Sequence, residues 1–273
     1  MTREEESQHR EFTVGHGIGI FVLLLVAVVI VGGISTVVFG FHLAVILGEL
    51  IVLLVPLSFL HVCGYSFRSF LTYRGELNFS FWILTVIASV SLFLITNDIS
   101  GYLHQLLPRP EIQKEALLKI FLAKTWPEYL FRIFAACVLA GFCEEFAFRG
   151  FLQSVFSKRL GGIKGFVLTA FLFAVLHLDP WNFAPAFLLG AFLGYLVYLT
   201  GNLWVAILVH FFVNSIAFSI NFFYPQIGAN FEFTNPPYVT FLCTFLFIIS
   251  LNYIRKVYLK AMTNHELKTY TAD

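Results

Sequence analysis

The sequence predicts an all-α fold, a polytopic transmembrane helix bundle of about eight spans. Three observations predict it. Of 273 residues, 59% are hydrophobic and 12% are charged, roughly half the charged share of about 25% found in soluble domains. The mean hydropathy is +0.83. The apolar residues also gather into runs close to the roughly 20 residues that a helix needs to cross the hydrocarbon core. The 34 phenylalanines suit lipid-facing and interhelical packing.

The spans follow in order at 18–39, 42–61, 81–103, 133–156, 166–178, 183–199, 203–223 and 239–257. A polar tail, 1–17, precedes one transmembrane domain, 18–257, and a second polar tail, 258–273, follows it. Residues 1–16 carry both signs of charge, and the run after them lacks a small-residue cleavage site, so it reads as an anchor. The fifth and sixth runs are short, with Pro180 and Pro185 between or inside them. They read either as two spans or as a pair with one re-entrant member shielded by protein. Between the third and fourth spans, Ile112, Leu117, Leu118, Ile120 and Phe121 alternate with Lys and Glu. That segment is either an interfacial amphipathic helix or an extramembrane connection packed on the bundle.

Loop charge gives orientation. With a cytoplasmic N-terminus, the inside holds Arg3, Arg10, Arg68, Arg74, Lys158, Arg159, Lys164, Arg255, Lys256, Lys260 and Lys268. The outside holds only Arg109, Lys114, Lys119, Lys124 and Arg132. Both termini are expected in the cytoplasm. A net charge of +1 with no basic stripe excludes nucleic-acid binding. Cys63, Cys137, Cys143 and Cys243 form no C-x-x-C pair and read as small buried hydrophobes.

Inside the fourth span stands Cys143-Glu144-Glu145-Phe146-Ala147-Phe148-Arg149-Gly150. Each charge in hydrocarbon costs about 2.5–3.5 kcal/mol on insertion scales, so three within six residues call for a reason. Glu145 and Arg149 lie at i, i+4 with the acid first, the favoured order for an ion pair. Glu144 is turned about 100° from Glu145 and needs another partner. The expectation is a Glu145–Arg149 clamp with Glu144 as the working group. Glu49, inside the second span, reads either as a functional acid or as a polar packing contact.

Later spans add His177, His210 and Asn214. His210 and Asn214 share one helix face. At 1.5 Å per residue, Glu144 falls about 20 Å from the cytoplasmic end, His177 about 18 Å, Asn214 about 16 Å and His210 about 10 Å. Any one histidine alone reads as an interhelical hydrogen-bonding residue. Four polar groups on three helices in one layer read as a shared site. A carboxylate and an imidazole can together deprotonate a water. A second imidazole and a carboxamide offer N–H donors for a tetrahedral oxyanion. With no Ser or Cys beside a base, direct attack of water on an amide is favoured over a covalent acyl-enzyme. No cofactor is favoured. A zinc set of Glu144, His177 and His210 stays open, although the H-E-x-x-H spacing is absent.

Glu-Glu-x-x-x-Arg, Phe-x-x-x-His and His-x-x-x-Asn, in that order on an eight-span chain, resemble the intramembrane endopeptidases related to type II CAAX prenyl proteases. Their prokaryotic branch is the CPBP or Abi family. The resemblance implies that Glu144 and His177 activate water, that His210 and Asn214 are oxyanion donors, and that Glu145 and Arg149 support them. It implies a membrane-embedded protease acting on a protein or prenylated peptide, sited in a prokaryotic plasma (inner) membrane. Family members are often labelled metalloproteases, while the CAAX enzyme suggests a glutamate-dependent, metal-free site. Two other classes compete: a non-catalytic immunity factor or scaffold of the same fold, and a proton relay or transporter.

Overall fold

The computed structural model describes residues 12–65, 77–228 and 233–270. Arg3, Arg10, Arg68 and Arg74, used above for orientation, lie outside these residues. Nine helices organise the described chain: α1 Val14–Phe39, α2 Phe41–Val62, α3 Phe79–Leu106, α4 Glu111–Phe121, α5 residues 126–160, α6 Gly162–Leu176, α7 Pro180–Thr200, α8 Leu203–Phe223 and α9 Pro237–Tyr270. A single turn, Pro225–Gly228, follows α8, and no strand occurs among the described residues.

Side-chain caps set several helix starts. Thr13 and His16 form a reciprocal capping box at α1, and Asn78, Asp179 and Asn202 accept from backbone N–H groups at α3, α7 and α8. Such groups have no intrahelical partner. Gly40 (φ +79) joins α1 to α2, and Gly161 (φ +88) joins α5 to α6. Both turns need the left-handed backbone that glycine adopts without a Cβ clash.

Six helices are long and apolar enough to cross a membrane: Val14–Phe39, His42–Val62, Phe79–Leu106, Pro180–Thr200, Leu203–Phe223 and Pro237–Ala261. α5 is the seventh apolar helix, a continuous rod whose hydrogen bonding changes along its length. α6 is the eighth and is short, 15 residues, or about 22 Å at 1.5 Å per residue. The chain is a multi-pass helical membrane protein. The sixth run is a 21-residue helix, so the short member of the pair is α6. The C-terminal segment expected as a tail from residue 258 continues α9 to Tyr270.

α5 is the axis of the bundle. Phe146, Phe148, Phe151 and Phe156 on it are fully buried, and Phe173 of α6 joins the same core. Val22, Val26, Val29, Ile30 and Val37 of α1 are exposed, which is the lipid-facing pattern for a bilayer rather than a defect of packing. α4 packs through Phe121 against Phe218 of α8. Buried Arg132 caps its C-terminal carbonyls, donating through Nε to Ile120 O (2.7 Å) and through Nη2 to Lys119 O (3.0 Å). Of the two readings of that segment, contact with the bundle is therefore observed. Asp98 ties α3 to α9. It accepts from Asn235 N (2.7 Å), Asn235 Nδ2 (2.8 Å) and Thr240 Oγ1 (2.6 Å).

All four cysteines are free, and Cys137, Cys143 and Cys243 are buried.

Candidate active site

α5 changes its winding on either side of the glutamates. Ile133–Leu139 and Phe146–Leu152 are π-helical, and Ala140–Glu145 between them is α-helical. At the first junction the Ala140 N–H reaches back five residues to Ala135 O. Wide turns of this kind are uncommon and gather at functional sites. No hydrophobic period in the sequence announces them.

The clamp expected from the i, i+4 spacing is present. Arg149 Nη1 donates to Glu145 Oε1 at 2.7 Å, and neither side chain touches solvent. Arg149 Nη2 donates to Gly190 O of α7 at 3.1 Å, and its guanidinium lies 4.4 Å from the Phe173 ring centroid. One turn on, Gln153 Nε2 repeats the contact to Gly194 O at 2.8 Å. Gly190 and Gly194 form a G-x-x-x-G seat, the small-residue pattern that lets membrane helices approach closely. A Cβ at Gly190 would lie 3.1 Å from Arg149 Nη2 and 3.2 Å from Phe173. This seat was readable in the sequence as two glycines at i, i+4, yet it drew no attention there.

The clamp also holds an imidazole. His210 Nδ1 lies 2.8 Å from the same Glu145 Oε1, and an ionised carboxylate can only accept, so Nδ1–H is the donor. The other nitrogen, Nε2, is 3.8 Å from Glu144 Oε2. His210 thus sits between the two glutamates, with 3% of its side chain exposed against 13% for Glu144. Glu144 is the member of the pair that reaches accessible space.

His177 and Asn214 make their direct hydrogen bonds to backbone carbonyls. His177 is the C-cap of α6, where Nδ1 lies 2.8 Å from Phe173 O, and the residue is exposed. Among the described residues no hydrogen bond or ion pair joins it to Glu144; the imidazole beside Glu144 is His210. Asn214 Nδ2 donates to Ala136 O at 2.9 Å, capping a carbonyl inside the first π segment and leaving its second N–H. Phe173 links the set. Its ring centroid is 4.8 Å from that of His177 and 6.0 Å from that of His210.

Glu49 of α2 is a further intramembrane acid, its Oε2 buried without a hydrogen-bond partner among the described residues. Among the described residues no three or more His, Cys, Asp and Glu side chains gather as a metal-holding group. Glu144, His177 and His210 are not assembled as a ligand shell here, His210 being turned by its bond to Glu145.

The fold and these residues define a class: a multi-pass membrane protein carrying two adjacent carboxylates on one helix with a buried imidazole of another beside them. Residues 126–216, which contain all six of the polar positions singled out from the motifs, match the family model of type II CAAX prenyl endopeptidase Rce1-like proteins. The resemblance drawn from the motifs is supported by that match, which relates the chain to the CAAX proteases and, at the level of the family, to proteolysis. No curated protein and no solved structure matches the chain significantly.

Proposed function

We propose that the chain is an intramembrane endopeptidase that hydrolyses a peptide bond by direct attack of water. Glu144 takes the proton of the attacking water and passes it to the leaving amine, and the hydroxide oxygen forms the new bond to the carbonyl carbon. His210 is held by Glu145, as a carboxylate orients the imidazole of a hydrolytic triad. In its protonated form it presents Nε2–H to the developing oxyanion. The free N–H of Asn214 on the same face is the second donor, and His177 at the exposed end of α6 is the second group for the water. No step is routed through a metal.

The observation that carries the proposal is the Glu144–His210–Glu145–Arg149 chain of contacts across two helices, with one carboxylate shut in and the other accessible. A proton relay would use similar residues, but the family match favours a protease. The substrate class suggested is a protein or prenylated peptide. A prokaryotic inner membrane and cytoplasmic termini fit the motifs and the loop charges.

The test is cleavage of prenylated and unprenylated reporter peptides by purified protein, with and without a strong chelator. Glu144→Gln is expected to lower kcat at least about a thousandfold, on the scale of losing a general base and its electrostatic contribution. Unchanged turnover in that variant removes Glu144 from the chemistry. Loss of activity in chelator, restored by zinc, replaces the metal-free mechanism. Wild-type-like cellular phenotype in both Glu144→Gln and His177→Ala supports the immunity-factor alternative.

A further inference from the structure

We propose that the Arg109–Asp179 ion pair is a positioning device for the His177 imidazole, holding a strained turn between α6 and α7 so that this ring keeps its place against Phe173, which also neighbours His210. The proposal rests on the reading of His177 as a site residue.

His177, Leu178 and Asp179 make up the turn. Leu178 has φ +51, the one non-glycine residue with positive φ among those described. A left-handed backbone is disfavoured for a residue with a bulky side chain and persists where its surroundings over-determine it. Packing of the Leu178 side chain is not what holds it, because that side chain is 60% exposed. The backbone bonds on the α6 side are His177 N to Ala174 O (3.3 Å) and Leu178 N to Val175 O (3.1 Å).

The grip comes from the other side. Both carboxylate oxygens of Asp179 accept from Arg109 Nη2, at 2.8 and 2.9 Å, and Oδ1 also caps α7 through Trp181 N at 3.1 Å. Arg109 is itself buried and held by two further contacts. Its Nε donates to His104 Nε2 (3.2 Å), while His104 Nδ1 lies 2.7 Å from Ser100 O, which suits a single neutral tautomer. Its guanidinium stacks 4.3 Å from the Trp181 ring centroid. Pro108 and Pro110 flank it and restrict its backbone. The end of α3 thus clamps a turn 70 residues further along the chain.

The link to His177 is geometric. Nδ1 of His177 is bonded to its own helix at Phe173 O, so the direction of Nε2 follows wherever α6 ends. Releasing the turn lets the last residues of a 15-residue helix fray, and the ring moves with them. Misplacing a reacting group by about 1 Å can cost about a hundredfold in rate.

The experiment pairs exchange with turnover. In Arg109→Ala, and in Asp179→Asn, which keeps the α7 cap, hydrogen exchange at the His177 and Leu178 amides is expected to rise at least about tenfold. Exchange in α8 should stay unchanged. The kcat on a prenylated reporter peptide falls about 10–100-fold with KM little altered, and Arg109→Lys recovers part of it. Leu178→Gly, which accepts φ +51 without steric cost, recovers part of kcat on the Arg109→Ala background. Unchanged exchange in both latch variants overturns the latch whatever the activity. A lower melting temperature with unchanged kcat per folded molecule also overturns it. Unchanged cleavage by His177→Ala overturns instead the site reading beneath it.

Discussion

Removing the Arg149 guanidinium is the sharpest test of the buried clamp. In Arg149→Met the volume is roughly kept, but the Glu145 carboxyl is left with no solvent contact and only His210 beside it. Breaking a buried pair by deleting one partner costs about 3–5 kcal/mol, because an uncompensated charge remains. The Gly190 carbonyl loses its donor as well, within the range of about 1–3 kcal/mol for an unsatisfied buried group. On the scale of about 2–4 °C per kcal/mol for chains of this order, the melting temperature in detergent should drop by roughly 10 °C or more. The double variant Glu145→Gln with Arg149→Met removes both charges and keeps an acceptor for His210. It should therefore melt above Arg149→Met alone, giving a non-additive cycle. The measurement is intrinsic fluorescence of purified protein during heating. A fall of less than about 2 °C for Arg149→Met, or strict additivity in the double variant, refutes the buried pair as the origin of the effect.

Gly190→Ala puts a methyl 3.1 Å from Arg149 Nη2 and 3.2 Å from Ala170 Cα. It should destabilise by about 1–3 kcal/mol through overpacking and lower turnover by shifting the clamp, as read by melting and by kcat on the reporter peptide. Asp98→Ala removes an acceptor of three hydrogen bonds. It should cost about 2–4 kcal/mol while leaving kcat per folded molecule unchanged, because these bonds join α3 to the start of α9 and touch neither Glu144 nor Glu145.

The expensive residues were legible because hydrocarbon makes them expensive. The Glu145–Arg149 contact follows from i, i+4 spacing and is present as a buried ion pair. The helix count was legible from run length, with α6 and α7 separated at the proline-marked turn. Partnerships across the bundle were not legible. Arg109 was counted as a loop charge, yet it is buried against Asp179 70 residues away, and Arg132 caps α4 from inside. The place of His210 between the two glutamates is equally invisible in the sequence: Glu145 accepts from its Nδ1 and so directs Nε2 toward Glu144. Asn214 shares a helix face with His210 as expected, and one of its N–H groups is committed to Ala136 O. That carbonyl lies in a wide turn of α5, which no periodicity reveals.

The two wide turns in α5 have a consequence for how this chain tolerates length changes. Each holds one more residue per loop of backbone than an ordinary helix, so deleting a residue within Phe146–Leu152 lets that stretch rewind tightly. The shortening is absorbed there, and the segments on either side keep nearly their mutual facing, whereas a deletion in the tightly wound Ala140–Glu145 turns everything before it by about 100°. Losing one residue from 140–143 would swing Ala136, the partner of Asn214, away from the glutamates with every charged side chain still present, while the neighbouring wide turn can give up a residue and keep its aim.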